Sequence, residues 1–224
     1  PMYEPFEHQK VTTDFINSNP RCLITSDPGT GKTRSVLDAI KDNGTRTLVL
    51  APLSILESSW GDDIEKFTPD LTYVCAYAKN REKAFLGTED VVITNHDAVK
   101  WIAANADLLE NFNTLVIDEF TAFKNKDSLR SKAALKIAKH FDNRIAMSGT
   151  PNSNTITDIW HPTLIVDDGE RLGHRFYSFW ILRCQILRFR AVLREVVQLP
   201  AAELGRDQLP RTLPKGAVGP EVKI

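Results

Sequence analysis

The chain has 224 residues, 42% of them apolar and 25% charged, with 28 basic against 29 acidic side chains and a net charge of −1. That is enough chain for one large domain or one and a half with a sizeable core, and the near-neutral balance excludes a global basic field, so any nucleic-acid surface must be a local patch. Cys22, Cys75 and Cys184 lack the spacing of a disulfide framework or metal site, and no apolar run approaches the roughly 18 residues of a membrane span, which reads as a cytoplasmic protein with free thiols.

In chain order, Pro5-Phe6-Glu7-His8-Gln9 precedes a helical pattern that puts Val11, Phe15 and Ile16 on one face, and Asn17-Ser18-Asn19-Pro20 breaks it. The run Leu23-Ile24-Thr25 then feeds the turn Ser26-Asp27-Pro28-Gly29-Thr30-Gly31, which ends at Lys32-Thr33 on a helix start. A phosphate site needs this order of strand, loop and helix, because backbone N–H groups must converge where the helix dipole is positive. Gly29 and Gly31 let the backbone approach without a Cβ in the way. Lys32 is placed to reach the β/γ-phosphates and the Thr33 hydroxyl to hold Mg²⁺, although Ser26 stands where the G-x-x-x-x-G-K-[ST] pattern has its first glycine.

The helix opened by Lys32 carries Val36, Leu37 and Ile40 inward as far as the turn Asp42-Asn43-Gly44. Thr47-Leu48-Val49-Leu50-Ala51-Pro52 reads as a strand covered on both faces. Ser54 to Phe67 reads as a helix with Leu56, Trp60, Ile64 and Phe67 inward and Asp62, Asp63 and Glu65 exposed. Strand 71–77, helix 81–85, strand 91–94, helix 98–109, strand 114–117, helix 128–141 and strand 144–147 complete the alternation. The pattern predicts an α/β fold of three layers, a mostly parallel central sheet with helices on both faces. Ligands of such sheets sit beyond the carboxyl ends of the strands.

Two more motifs occupy such ends. Leu115-Val116-Ile117-Asp118-Glu119 is a buried strand ending in two carboxylates, with Asp118 suited to hold a metal and Glu119 to orient or deprotonate a water. Ser148-Gly149-Thr150-Pro151 ends another strand, where a bare turn is the alternative reading. Asp167 to Gly173 reads as a polar turn. Over 176–199, Leu182, Ile186, Phe189, Leu193 and Val196 alternate with Arg183, Arg188, Arg190 and Arg194 as a helix with a basic outer face. That face either packs on its own domain or offers a partner or nucleic-acid surface. Prolines and glycines from 200 to 224 predict a loose tail. His96 and His140 read as surface or cap residues.

Together these stretches resemble the first motor lobe of superfamily 2 helicases, closest to the Swi/Snf-type DNA translocases and their phage relatives. Gln9 in PFEHQ resembles the family's adenine-reading glutamine, whose amide offers both a donor and an acceptor. SDPGTGKT resembles the first motif, with Gly29, Thr30, Gly31, Lys32 and Thr33. LVLAPLSILESSW, through Pro52, Ser54 and Trp60, resembles the segment that touches the DNA backbone, and VVITNHDAV resembles the next one through Thr94 and Asn95. DEFTAFKNKDS is similar to the second motif, and MSGTPNSNTITDIW to the third through Ser148, Gly149, Thr150, Pro151, Asn154 and Trp160.

The resemblance implies a P-loop (RecA-like) ATP-binding lobe over 1–175, with ATP and Mg²⁺ as cofactors and the DNA backbone as a partner read without sequence choice. In it Lys32, Asp118 and Glu119 are catalytic, Thr33 and Asp118 hold the metal, and Ser148, Gly149 and Thr150 couple hydrolysis to movement. Phe120 and Thr121 depart from the family's small residue and histidine after Asp-Glu, which changes the link to the third motif. Nothing after 175 resembles the second lobe, which supplies an arginine finger in this family. The resemblance therefore leaves two functions open: a DNA-dependent ATPase lobe that needs its partner lobe for turnover, or a non-catalytic ATP-binding and protein-interaction module. The abrupt change to unfamiliar sequence also suggests a truncated or frame-shifted gene.

Overall fold

A computed structural model describes residues 3–150 and 156–183. The basic helix beyond Arg183, the tail from 200, Cys184, Pro151 and Asn154 lie outside the described residues. The chain's densest apolar runs become strands: Cys22 to Ile24, Leu48 to Leu50, Val91 to Ile93 and Leu115 to Ile117 are all at most 2% exposed. Such continuous runs suit strands covered on both faces. Six of them, β1 (Arg21–Thr25), β2 (Arg46–Ala51), β3 (Tyr73–Ala76), β4 (Val91–Asn95), β5 (Phe112–Asp118) and β6 (Asn143–Ser148), lie in the order β1-β6-β5-β2-β4-β3. Every pairing among the described residues is parallel.

Strand side chains alternate between two cores. Ile24, Val49, Val116 and Ile145 pack under α1 (Glu7–Ser18), α2 (Lys32–Ile40) and α3 (Asp62–Phe67). Leu23, Leu48, Leu50, Leu115 and Ile117 pack under α4 (Arg81–Leu86), α5 (Val99–Ala104), α6 (Leu129–Ala138), α7 (Trp160–Asp167) and α8 (Phe176–Arg183). The result is the expected three-layer α/β arrangement.

Several elements differ from the sequence expectation. Val11 is 49% exposed, and α1 buries Gln9, Thr12 and Ile16 instead, because the helix is rotated to bring Gln9 over the loop after β1. The expected helix from Ser54 is a 3₁₀ turn (Leu53–Ile55), a π turn (Leu56–Gly61) and then α3. Leu56, Trp60 and Ile64 recur every four residues, which on an α-helix drifts by about 40° per step; the wider π turn takes up that drift and keeps all three buried. The helix after β4 stops at Ala104, where the Asn105 side-chain amide donates to the Trp101 carbonyl at 2.8 Å and competes with the helical pattern.

The polar turn begins one residue later than expected, at Asp168; Asp167 is the buried last residue of α7, 1% exposed, where it accepts from the Gly169 and Arg171 backbone N–H groups at 2.8 and 3.1 Å. Arg144, 3% exposed, anchors the same helix end: its guanidinium donates to the Ile165 carbonyl at 3.2 Å and pairs with Asp168 at 2.9 Å. A cation at a helix C-terminus satisfies carbonyls that the helix leaves open.

The start of α7 is tied down by His161, 3% exposed, whose Nδ1 donates to the Phe123 carbonyl at 2.8 Å. Burial holds its pKa below the ordinary 6.5. A histidine kept neutral by the fold contributes stability above its unfolded pKa, and that stability is lost as pH falls through the folded value. The contribution of His161 to the melting temperature should therefore fall as the pH is lowered below about 7.5. His161→Asn, which keeps a donor near Nδ1 without a titrating ring, should show a shallower drop in the same thermal scans.

Candidate functional site

Parallel registers set the strand ends level, with Thr25 opposite Ser148, Met147 opposite Asp118, Ile117 opposite Leu50, and Ala51 opposite Asn95. The loop after β1, the third motif after β6 and the acidic pair after β5 therefore lie side by side. The segments after β2 and β4 continue the same edge.

In the loop, Gly29 and Gly31 both take left-handed φ, +79° and +76°, a conformation that costs other residues a steric penalty. Gly31 is also the N-cap of α2, and a Cβ there would strike the Gln9 amide. Gln9 is 7% exposed; its Oε1 accepts from the Phe6 N–H at 2.9 Å and its Nε2 donates to the Thr30 carbonyl at 3.3 Å. His8 Nε2 donates to the same carbonyl at 3.0 Å. One lone pair and one N–H of the Gln9 amide remain. The Lys32 ammonium folds into its own loop and donates to the Ser26 and Asp27 carbonyls at 2.9 and 3.0 Å. Burial lowers its pKa, against the opposing pull of Glu119, Asp118 and Asp27. Thr33 stands half-buried in the first turn of α2.

Across from the loop, Asp118 is 7% exposed and its Oδ2 accepts from the indole N–H of Trp60 at 3.0 Å. Burial raises its pKa and the neighbouring Glu119 charge adds to this, while the Trp60 bond and Lys32 oppose it. Glu119 has φ 53° and ψ 61°, left-handed backbone in a residue with a side chain. Its carboxylate accepts from the Ser148 hydroxyl at 3.1 Å and the Gly149 N–H at 3.3 Å, and Ser148 Oγ in turn accepts from the Thr150 N–H at 3.1 Å. A Cβ on Gly149 would lie 3.0 Å from Pro28 Cγ. The third motif thus touches both the acidic pair and the glycine loop.

On the other half of the edge, Ser54 is exposed, and Pro52 and Asn95 are half-buried. Asn95 Oδ1 accepts from Arg81 Nη2 at 3.4 Å. Thr94 does not join them at the surface: it is 0% exposed and its hydroxyl donates to the Ala76 carbonyl at 2.7 Å, on the sheet face that carries Val92 and lies under α4 and α5.

Two residues have a larger part in the site than the sequence implied. Trp60, grouped there with the DNA-touching segment, is 0% exposed and holds Asp118. A buried indole needs an acceptor, and a carboxylate at a nearby strand end was the available one. His96 is no cap residue either. Its Nε2 donates to the Asp118 carbonyl at 2.7 Å, and its ring packs edge-on against Phe123 at 5.2 Å. Burial lowers its pKa, so it stands as a neutral donor. No local pattern announces that contact, which spans two strands neighbouring β2 on opposite sides.

Replacing Trp60 by Phe keeps an aromatic ring but removes the N–H with the rest of the indole, leaving the buried Asp118 short of a donor. A hydrogen bond to a charged group contributes about 1.5–3 kcal/mol. Trp60→Phe should lose stability of that order in urea unfolding at neutral pH, and Asp118→Asn in the same background should recover part of it.

Comparison with known proteins places these features. The SNF2-related domain matches residues 9–166. Protein p41 of Acyrthosiphon pisum secondary endosymbiont phage 1 is 31% identical over 206 residues, 82% of this chain and 44% of p41. The ATP-dependent helicase MG018 of Mycoplasma genitalium is 29% identical over 151 residues, 62% of this chain and 14% of the helicase. The Sulfolobus solfataricus SWI2/SNF2 ATPase core in complex with dsDNA superimposes with a TM-score of 0.73 at 21% identity, over 88% of this chain and 46% of that one, and so shares the fold. The chain spans less than half the length of each of these relatives. With the match running over most of the described domain, from Gln9 to the end of α7, the chain belongs to the SNF2-related domain family.

Proposed function

We propose that this chain is the ATP-binding lobe of a DNA-dependent ATPase motor. The observation that carries the reading is the level edge, which gathers the glycine loop, Asp118-Glu119 and Ser148-Gly149 at the ends of β1, β5 and β6 and leaves Pro52, Ser54 and Asn95 at the ends of β2 and β4. The match to helicases, and to a SWI2/SNF2 core whose structure was solved with dsDNA, supports it.

The residues suit a magnesium nucleotide. Among the described residues no group of three or more His, Cys, Asp or Glu could hold a metal. That fits Mg²⁺, which takes one or two carboxylates and completes its shell with phosphate oxygens and water. Asp118, with Oδ2 bonded to Trp60, and the Thr33 hydroxyl would hold the ion. Lys32, now on the loop's own carbonyls, would turn to phosphate oxygens, which compete well for an ammonium. The backbone N–H groups at Gly29, Thr30 and Gly31 would line the phosphates. The remaining donor and acceptor of Gln9 would read the adenine edge. Bound Mg-ATP supplies the electrophilic phosphorus and the counter-charge for the leaving phosphate.

Glu119 then orients or deprotonates the attacking water. Its bonds to Ser148 and Gly149 pass the state of that carboxylate to the third motif, and Thr150 follows through Ser148. Ser54, Asn95 and the Pro52 turn would take DNA phosphates, a contact that gives affinity and salt dependence without sequence choice. Thr94 shapes that strand end from within. A second lobe, in another chain or in sequence not included here, would supply the arginine that contributes about 10³–10⁵ in rate in related hydrolases. The same reading places the chain in the cytoplasm of a bacterial or phage-infected cell, where its DNA is. Among the described residues no helix is long and apolar enough to cross a membrane.

Two measurements test this. Mg-ATP at about 100 times its dissociation constant should stabilise the fold by about 2.7 kcal/mol, or roughly 5–10 °C in melting temperature, and Lys32→Ala should abolish the rise. Phosphate release from Mg-ATP should increase with double-stranded DNA and vanish in Glu119→Gln. ATP binding with no turnover in any condition would mean a lobe that needs its partner or a non-catalytic module, and an unchanged rise in Lys32→Ala would remove the phosphate-loop assignment.

A further inference from the structure

His96 joins the two halves of the edge. It follows Asn95, the end of β4, and its Nε2–H reaches across the sheet to the Asp118 carbonyl at 2.7 Å. A carbonyl only accepts, so the contact fixes the tautomer with the proton on Nε2. That carbonyl belongs to the peptide whose nitrogen is Glu119, so the bond fixes the plane from which the Glu119 φ of 53° is measured.

Left-handed backbone in a residue with a Cβ costs of order 1–2 kcal/mol and persists only where its surroundings hold it. Three sets of bonds hold Glu119 here. His96 takes the carbonyl before it; the Ala122 N–H donates to its own carbonyl at 3.1 Å; Ser148 and Gly149 take its carboxylate. Only the first comes from the half of the edge that carries Asn95. The imidazole is itself braced by Phe123, whose carbonyl receives His161 of α7 and the Ser131 hydroxyl of α6. Beside it Asp97 is pinned by Arg130 at 2.9 Å. A shift of the β4 end therefore meets a stiff wall behind the ring and passes to the Asp118–Glu119 peptide.

We propose that His96 is a positioning residue that transmits DNA engagement at the end of β4 to the Asp118–Glu119 peptide, in a chain whose second motif lacks the family's usual histidine. It sets whether the Glu119 carboxylate stays on Ser148 and Gly149. The inference rests on the DNA-dependent ATPase reading above, and it makes the affinities for DNA and for nucleotide depend on one another, by the same factor in both directions.

The test measures that factor on the whole 224-residue chain. The dissociation constant of a non-hydrolysable ATP analogue with Mg²⁺ is titrated with and without a saturating blunt DNA duplex. Wild type is compared with His96→Leu, which fills the space but has no donor, and His96→Gln, whose amide nitrogen falls near the position of Nε2. Thermal melting confirms that each variant folds. Wild type should show coupling of about fivefold or more; His96→Leu should bring it close to one, and His96→Gln should restore most of it. A role in packing alone would leave the Leu and Gln variants alike. Equal coupling in wild type and His96→Leu, or DNA that leaves nucleotide affinity unchanged in wild type, overturns the proposal. Failure of the function itself has a different signature, since the wild-type chain would then bind the nucleotide no better than Lys32→Ala.

Discussion

The candidate site depends on the parallel strands of the described residues ending at one level. Parallel pairing forces each connection to return along a face of the sheet, so every strand delivers its carboxyl end to the same edge. Registers such as Thr25 opposite Ser148 and Met147 opposite Asp118 then decide which loops meet. Because β6 and β5 are inserted between β1 and β2, the late motifs of the chain come to lie against the earliest one. The buried apolar runs that make the strands hold functional residues in place without contributing to the chemistry.

The edge is electrostatically tense in a consistent way. Asp118 is driven toward its neutral form by burial, and Lys32 is driven the same way by its own burial, while each favours the charged form of the other. Neither has an ideal partner of its own: Lys32 rests on backbone carbonyls and Asp118 on an indole N–H. Glu119 adds backbone strain to this arrangement. Such groups gain more from a ligand carrying opposite charge than they would if already satisfied. At the far end of the sheet Arg144 does the reverse, pairing with Asp168 and donating to an open carbonyl of α7.

Much of the fold was legible because alternation of apolar runs and helical patterns is a local property, and β1 to β6 fall where those runs are. The glycine loop, the Asp118-Glu119 pair and the Ser148-Gly149 turn were legible for the same reason, each being a short string at a strand end. What escaped is what depends on side chains meeting across the sheet. Trp60 could be read as inward but not as bonded to Asp118, and His96 offered no pattern at all. Thr94 was grouped with the DNA-touching segment, although it stands on a face of β4 that helices cover. The rotation of α1, which buries Gln9 and exposes Val11, follows from bonds to Phe6 and Thr30 that a helical wheel does not include.

The π turn at Leu56–Gly61 ties the length of that segment to the acidic pair. Removing one residue there would leave a regular and intrinsically more favourable α-helix, so local structure would tolerate the deletion. It would also rotate Trp60 by about 100° relative to the residues before it, and take the indole off Asp118. The segment is therefore one in which the count of residues matters more than their identity. Substitution on its exposed side is cheap, while insertion or deletion would alter the carboxylate at the centre of the site through a helix that looks undamaged.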